Sequence, residues 1–166
     1  MKGEHRRNAK VCSASLKGRG TGAGEAATVR RTLLFGWSFL LLYLSLGVAL
    51  EILHGLKIQY YLNLANVTRR MLWTLAHAHG TLLALLLIII GLIIGDITSH
   101  RSPLRFVARL LAGSAVLLPA GFFFGGVFTI PAAPDTAGLP ILLVPLGAVM
   151  LLAAVLLAAR HYSCQP

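Results

Sequence analysis

Apolar residues run almost unbroken over four stretches, roughly 33–55, 71–95, 105–129 and 139–159. About 20 such residues cross the hydrocarbon core of a bilayer as a helix. Polar breaks separate the runs at Asn63 to Arg70, at Asp96 to Pro103 and at Pro131-Ala132-Ala133-Pro134-Asp135. The runs are continuous and do not alternate, which excludes a β-barrel pattern. Backbone groups inside lipid must pair within their own segment, so each run is predicted to be an α-helix. The expected fold is all-α, a four-helix transmembrane bundle over residues 32–162 in contact with the lipid bilayer.

Composition agrees with that pattern: 57% of residues are hydrophobic and 12% charged, where a soluble domain carries about a quarter charged. The net charge is +10, which taken alone suggests a nucleic-acid partner. Its placement argues against one. Eight of the fifteen Lys and Arg fall in residues 1–31, Arg101, Arg105 and Arg109 flank the second break, and Arg160 follows the last run. With four spans these lie on one side, and only Lys57, Arg69 and Arg70 lie on the other. The positive-inside rule then places both termini in the cytoplasm; the inner (plasma) membrane is the expected location, as the resemblance given below implies. Attraction to anionic headgroups is a secondary effect of the same charges.

Residues 1–31 are basic, polar and Gly-rich, too poor in apolar surface to fold alone, and are expected to form a disordered cytoplasmic tail. A presequence or an upstream start are the alternatives. Cys12 and Cys164 are distant in sequence and give no zinc-site spacing. Tyr60, Tyr61 and Trp73 bracket the outer interface as an aromatic belt would. Gly91 with Gly95, and Gly121 with Gly125, are spaced one helical turn apart, which lets helices approach closely in lipid. Pro119 and Pro145 fall inside the third and fourth runs, where each leaves a carbonyl without its helical donor and tends to kink the chain.

Polar chemistry inside the membrane is concentrated in a few residues. Of five acidic residues, only Glu51 lies in a span. Such a group usually faces the bundle interior with a partner. His54 follows three residues later, the spacing by which helix bundles present two metal ligands inward. Tyr43 and Gly47 extend the same face. On the second span, WTLAHAHGT carries His77 and His79. At about 1.5 Å per residue, Glu51 lies roughly 7–8 Å and His77 roughly 9 Å inside the outer end of its span. The two histidines differ by about 200° around the helix and cannot share a face. His77 shares the small-residue stripe of Thr81, Ala84, Ile88, Gly91 and Gly95 and is predicted to be interior. His79 shares a face with Leu75, Leu83, Leu86 and Ile90, toward another helix or a second protomer.

Three readings of this cluster stand open. Glu51, His54, His77 and, as a fourth group, His79 could ligate a transition metal or haem, since imidazole suits zinc, copper and iron. They could form a hydrogen-bonded tie in a structural or assembly subunit without a cofactor. They could serve a proton or ion transporter, although the inner halves of the spans offer only Ser38, Ser45 and Ser114. No nucleophile elbow, Walker loop, zinc-peptidase helix or dinucleotide fingerprint is present, which leans away from an enzyme. The run WTLAHAHGTLLAL, with PAGFFFGG at 119–126, resembles small four-helix bacterial inner-membrane proteins of unassigned function. His77-Ala78-His79 is also similar to histidine-bearing helices of membrane haem and copper proteins of respiratory chains. The expectation is an accessory membrane protein with an intramembrane Glu/His site near the outer face. It would act alone, as a homo-oligomer or within a membrane complex.

Overall fold

In the computed structural model, backbone is described for residues 2–62, 67–96, 101–129 and 136–163, and side chains for 26–62, 67–96, 104–129, 136–161 and 163. Those residues form helices α1 (Lys2–Gly55), α2 (Gln59–Leu62), α3 (Val67–Asp96), α4 (Arg101–Val127) and α5 (Leu143–Ser163), with a 3-10 turn at Leu139–Leu142. Most side chains of the basic segment 1–31 fall outside the described residues, as does Cys164.

Four stretches are long and apolar enough to span a membrane: Ala26–Gly55, Val67–Asp96, Leu104–Val127 and Leu139–His161. Three of the predicted runs lie wholly within these stretches, and the third, 105–129, runs two residues past the end of its helix at Val127. The first begins seven residues before the predicted start at 33 and the second four before 71. The helices pack in chain order, α1 on α3, α3 on α4 and α4 on α5, with slight contact between α1 and α4. Burial follows that order: 39% and 44% of the apolar windows of α3 and α4 are buried, against 22% for α1 and 11% for α5. Leu83 and Leu87 of α3 meet Leu111, Ala115 and Leu118 of α4 at the centre. Apolar side chains on the outer faces, such as Leu41, Val48, Val149 and Leu152, are exposed, as faces turned to hydrocarbon would be.

The α1–α3 seam is close because each helix offers a glycine where the other offers bulk. A Cβ built on Gly36 would meet Ile88, one on Gly91 would meet Leu33, and one on Gly80 would meet the Tyr43 ring. The two predicted glycine pairs work this way. Gly91 and Gly95 receive Leu33 and Val29 of α1, and Gly121 and Gly125 receive Val144 and Ile141.

The prolines act differently from one another. Pro119 sits mid-helix in α4, so the carbonyl four residues before it, on Ala115, has no helical donor. The Tyr43 hydroxyl donates to that carbonyl at 2.6 Å from α1. Pro145 falls in the first turn of α5, where a missing N–H leaves no bond broken. The kink expected there is replaced by the 3-10 turn that precedes the helix.

At the other end of α1 the chain turns through Lys57, whose φ of 53° is left-handed. The Ile58 amide donates to the Leu53 carbonyl and the Lys57 amide to that of His54, both at 3.1 Å. This pattern closes a helix with a left-handed residue just past its end. It folds α2 back over the end of the α1–α3 seam, and the candidate site lies beneath it.

Candidate functional site

His77 enters the seam one turn before Gly80. Its ring lies over Gly47, where an added Cβ would come within 2.7 Å of Nδ1 and 2.9 Å of Nε2. Only a glycine leaves room for the imidazole. Nδ1 lies 2.7 Å from the Tyr43 carbonyl oxygen. A carbonyl can only accept, so Nδ1 carries the proton and donates. In the neutral ring Nε2 is then left with its lone pair, the tautomer logic by which one nitrogen's hydrogen bond prepares the other.

Beside His77 a groove of about 740 Å³ opens along α1 and α3, with Glu51, His54, Thr74 and Tyr61 in its lining and Leu44, Val48 and Ile52 as apolar wall. Glu51 and His54 are exposed on it and His77 is half-buried. His54 also meets the Tyr61 ring edge-on, with centroids 6.4 Å apart. Thr74 returns its hydroxyl to the Arg70 carbonyl at 2.9 Å.

Three of the four residues singled out from sequence thus line one groove. His79 does not join them. Its Nδ1 donates to the Leu75 carbonyl of its own helix, 2.9 Å away, and its ring packs on Phe122 of α4 at 5.2 Å. The opposite facing of the two histidines is as their spacing required. Among the described residues, no three His, Cys, Asp or Glu side chains gather closely enough to hold a metal ion.

The reason is helical drift. Successive residues turn about 100°, so the steps from Tyr43 to Gly47 to Glu51 swing about 80° off the seam, while Leu50 falls within about 20° of it. Leu50 is the buried residue of that turn. The carboxylate is carried round to the groove's open side.

Among the described residues, the deeper hydroxyls do not join the groove. Ser38 and Ser45 face outward, and Ser45 bonds its own helix at the Leu41 carbonyl, 2.8 Å away. Among the described residues, the Thr81 and Ser114 hydroxyls are buried without a hydrogen-bond partner.

Arg69 is the principal site neighbour that sequence reasoning missed. It is 9% exposed. Its Nε donates to the Gly126 carbonyl at 3.1 Å, a terminal nitrogen donates to the Thr129 hydroxyl at 3.0 Å, and the guanidinium lies 4.3 Å from the Tyr60 ring centroid. The last carbonyls of a helix lack helical donors and carry partial negative charge, so a cation at the end of α4 meets both needs. Trp73 joins it, donating from Nε1 to the Phe123 carbonyl at 3.1 Å. Its ring stacks between Tyr61 and Phe123, at 6.3 Å and 5.8 Å. Tyr61 and Trp73 are therefore buried core residues, and of the expected belt only Tyr60 is exposed. The available signal was the four-residue step from Arg69 to Trp73, on the stripe that continues to Ala76 and Gly80.

Together these features define a polytopic integral membrane protein with an apolar-walled groove, bearing a few polar groups, along one helix seam. Comparison with protein-family models, with curated proteins and with solved structures finds no match to this chain.

Proposed function

We propose that the protein is a binding or accessory protein of the bilayer, and that its groove takes the polar head of a membrane-borne amphiphile. The carrying observation is the fixed His77 ring: Nδ1 is committed to the Tyr43 carbonyl, which leaves Nε2 of the neutral ring as an acceptor on a residue that lines the groove together with Glu51. An ionised carboxylate is acceptor-only as well. Two acceptors spread along an apolar-walled groove match a head bearing two or more donors, such as hydroxyls or an ammonium, with its chain beside Leu44 and Val48. A lone metal ion is a poorer match, because its ligands must converge to about 2.0–2.3 Å of one point. By the positive-inside rule the termini are cytoplasmic and the groove lies in the outer half of the inner membrane.

A second reading rests on the same imidazole. Metal-bound histidines commonly donate their other ring N–H to a carbonyl, as His77 does through Nδ1, and haem iron accepts a single axial histidine.

One preparation tests both readings. The protein, Glu51→Gln and His77→Ala are purified in mild detergent, and each is examined by absorption spectroscopy, elemental analysis and mass spectrometry of extracted lipids. A hydrogen bond to a charged group is worth about 1.5–3 kcal/mol, so a co-purifying donor-headed amphiphile should fall roughly ten- to a hundredfold in Glu51→Gln. A Soret band lost in His77→Ala would replace this reading with the haem one. Identical lipid content in all three, with no pigment or metal, would reduce His77 to a tie between helices.

A further inference from the structure

At the opposite end of the molecule, α1 and α4 stand apart over α3 and leave a furrow of about 180 Å³. Its mouth is formed by Arg31 of α1 and by Arg105 and Arg109 of α4, with the Thr28 and Thr32 side chains beside them. Its lower part is apolar: Phe35, Ala108 and Ala112 form the walls and Leu87 the floor. The lining carries three cations and no acidic side chain. Arg31 and Arg109 are exposed, and Leu87 is fully buried.

Helical spacing arranges this. Thr28, Arg31, Thr32 and Phe35 recur at three- and four-residue steps on α1, and Arg105, Ala108, Arg109 and Ala112 do the same on α4, so each helix turns one stripe to the furrow. Leu87 lies nine residues before the end of α3 at Asp96, so the floor is roughly 13 Å below that end. Charge at the rim and hydrocarbon at depth, in one cleft at a membrane interface, match an anion that carries an apolar chain. Free phosphate would use the rim alone.

We infer that this furrow binds an anionic phospholipid, its phosphate held by Arg31, Arg105 and Arg109 and its first chain carbons lying against Phe35, Ala112 and Leu87. The site is separate from the Glu51–His77 groove and stands whether or not that groove is functional. Basic clefts between spans are suited to such headgroups, and each Arg near an anionic surface strengthens attraction by about fivefold.

The test is native mass spectrometry of the full chain released from nanodiscs of 30:70 phosphatidylglycerol and phosphatidylcholine, set by about that proportion to offer both heads. The expected result is one retained phosphatidylglycerol. In Arg31→Gln/Arg109→Gln its occupancy should fall by about 25-fold, two arginines' worth. Arg160→Gln, which removes a cation outside the furrow, should retain it. Ala112→Phe should also lose it, because the ring occupies the chain's place while every arginine remains. Helix content by circular dichroism shows that each variant is folded. If the double variant does not fold, Ala112→Phe decides alone. Equal retention in Ala112→Phe and the unaltered protein would overturn the inference. So would displacement of the lipid by millimolar inorganic phosphate, which would mark a rim site for a free anion.

Discussion

Tyr43 should couple energetically to Pro119 on another helix, through the carbonyl that the proline leaves without a donor. Pro119 removes the donor for the Ala115 carbonyl, and the Tyr43 hydroxyl replaces it at 2.6 Å in a buried setting. Interhelical hydrogen bonds in membrane proteins average about 0.6 kcal/mol and reach about 1.7. Leaving a buried acceptor unsatisfied costs about 1–3 kcal/mol. The short distance and the missing helical donor place Tyr43→Phe near the top of the first range, about 1.5 kcal/mol. In Pro119→Ala, residue 119 regains its N–H and the helix can satisfy Ala115 itself. There the same Tyr43→Phe change should cost no more than about the 0.6 kcal/mol average. The expected coupling is about 1 kcal/mol, above the roughly 0.3–0.5 kcal/mol within which independent sites add. Reversible unfolding in mixed detergent and sodium dodecyl sulfate micelles, followed by circular dichroism for the four combinations, measures it. Equal costs of Tyr43→Phe in both backgrounds would refute the substitution of a hydroxyl for the proline's missing donor.

Gly47→Ala should lower stability by about 1–2 kcal/mol, because overpacking outweighs the gain in helix propensity of up to about 1 kcal/mol. In a His77→Ala background the sign should reverse, and a stabilising Gly47→Ala in the unaltered protein would show that the ring does not occupy the notch. Arg69→Gln should cost about 2–3 kcal/mol, as expected for lost charge-assisted bonds, and thermal melting in detergent reads it. Arg69→Lys should recover less than half of that loss, since an ammonium cannot bond Gly126 and Thr129 and also stack flat on Tyr60; full recovery would reduce the role to charge alone. His79→Phe should change stability by less than about 1 kcal/mol, in line with the modest worth of one local hydrogen bond, and leave any co-purifying species in place. Loss of that species in His79→Phe would bring His79 into the site.

The spans were legible because length and apolar continuity are sufficient signals in a medium that admits few other structures. The facing of His77 and His79 was legible because it follows from helical geometry alone. Convergence of Glu51, His54 and His77 was not, since sharing a helix face within about 80° does not bring side chains to one point. The role of Arg69 was hidden for a different reason. Its partners are the Gly126 carbonyl at the end of α4 and the Thr129 hydroxyl just past it, 57 and 60 residues away, and neither is visible as a charge. As one of three basic residues on its side, it registered only in the topology count. Tyr61 and Trp73 suited a belt by position, and only the arrival of Phe123 and α2 turns them into core. Pro145 shows the limit at a helix start, where a first-turn proline and an interior one look alike inside a continuous apolar run.

The two polar contacts made by Tyr43 across helices separate necessity from orientation. Its hydroxyl meets a carbonyl that has no other donor, so that bond repairs a defect made by Pro119. Its own carbonyl is in a different position. Inside α1 it is placed to accept the Gly47 amide, and His77 adds a second donor at 2.7 Å to a group already satisfied. Packing does not call for an imidazole there either. Gly36 and Gly91 accept Ile88 and Leu33 in equivalent notches of the same seam, and hydrocarbon fills them without desolvating a ring nitrogen. What the histidine supplies that a leucine would not is a nitrogen lone pair held in one tautomer beside the groove. That difference favours a ligand-facing role for His77 over a purely adhesive one, and it makes Nε2 the atom to probe.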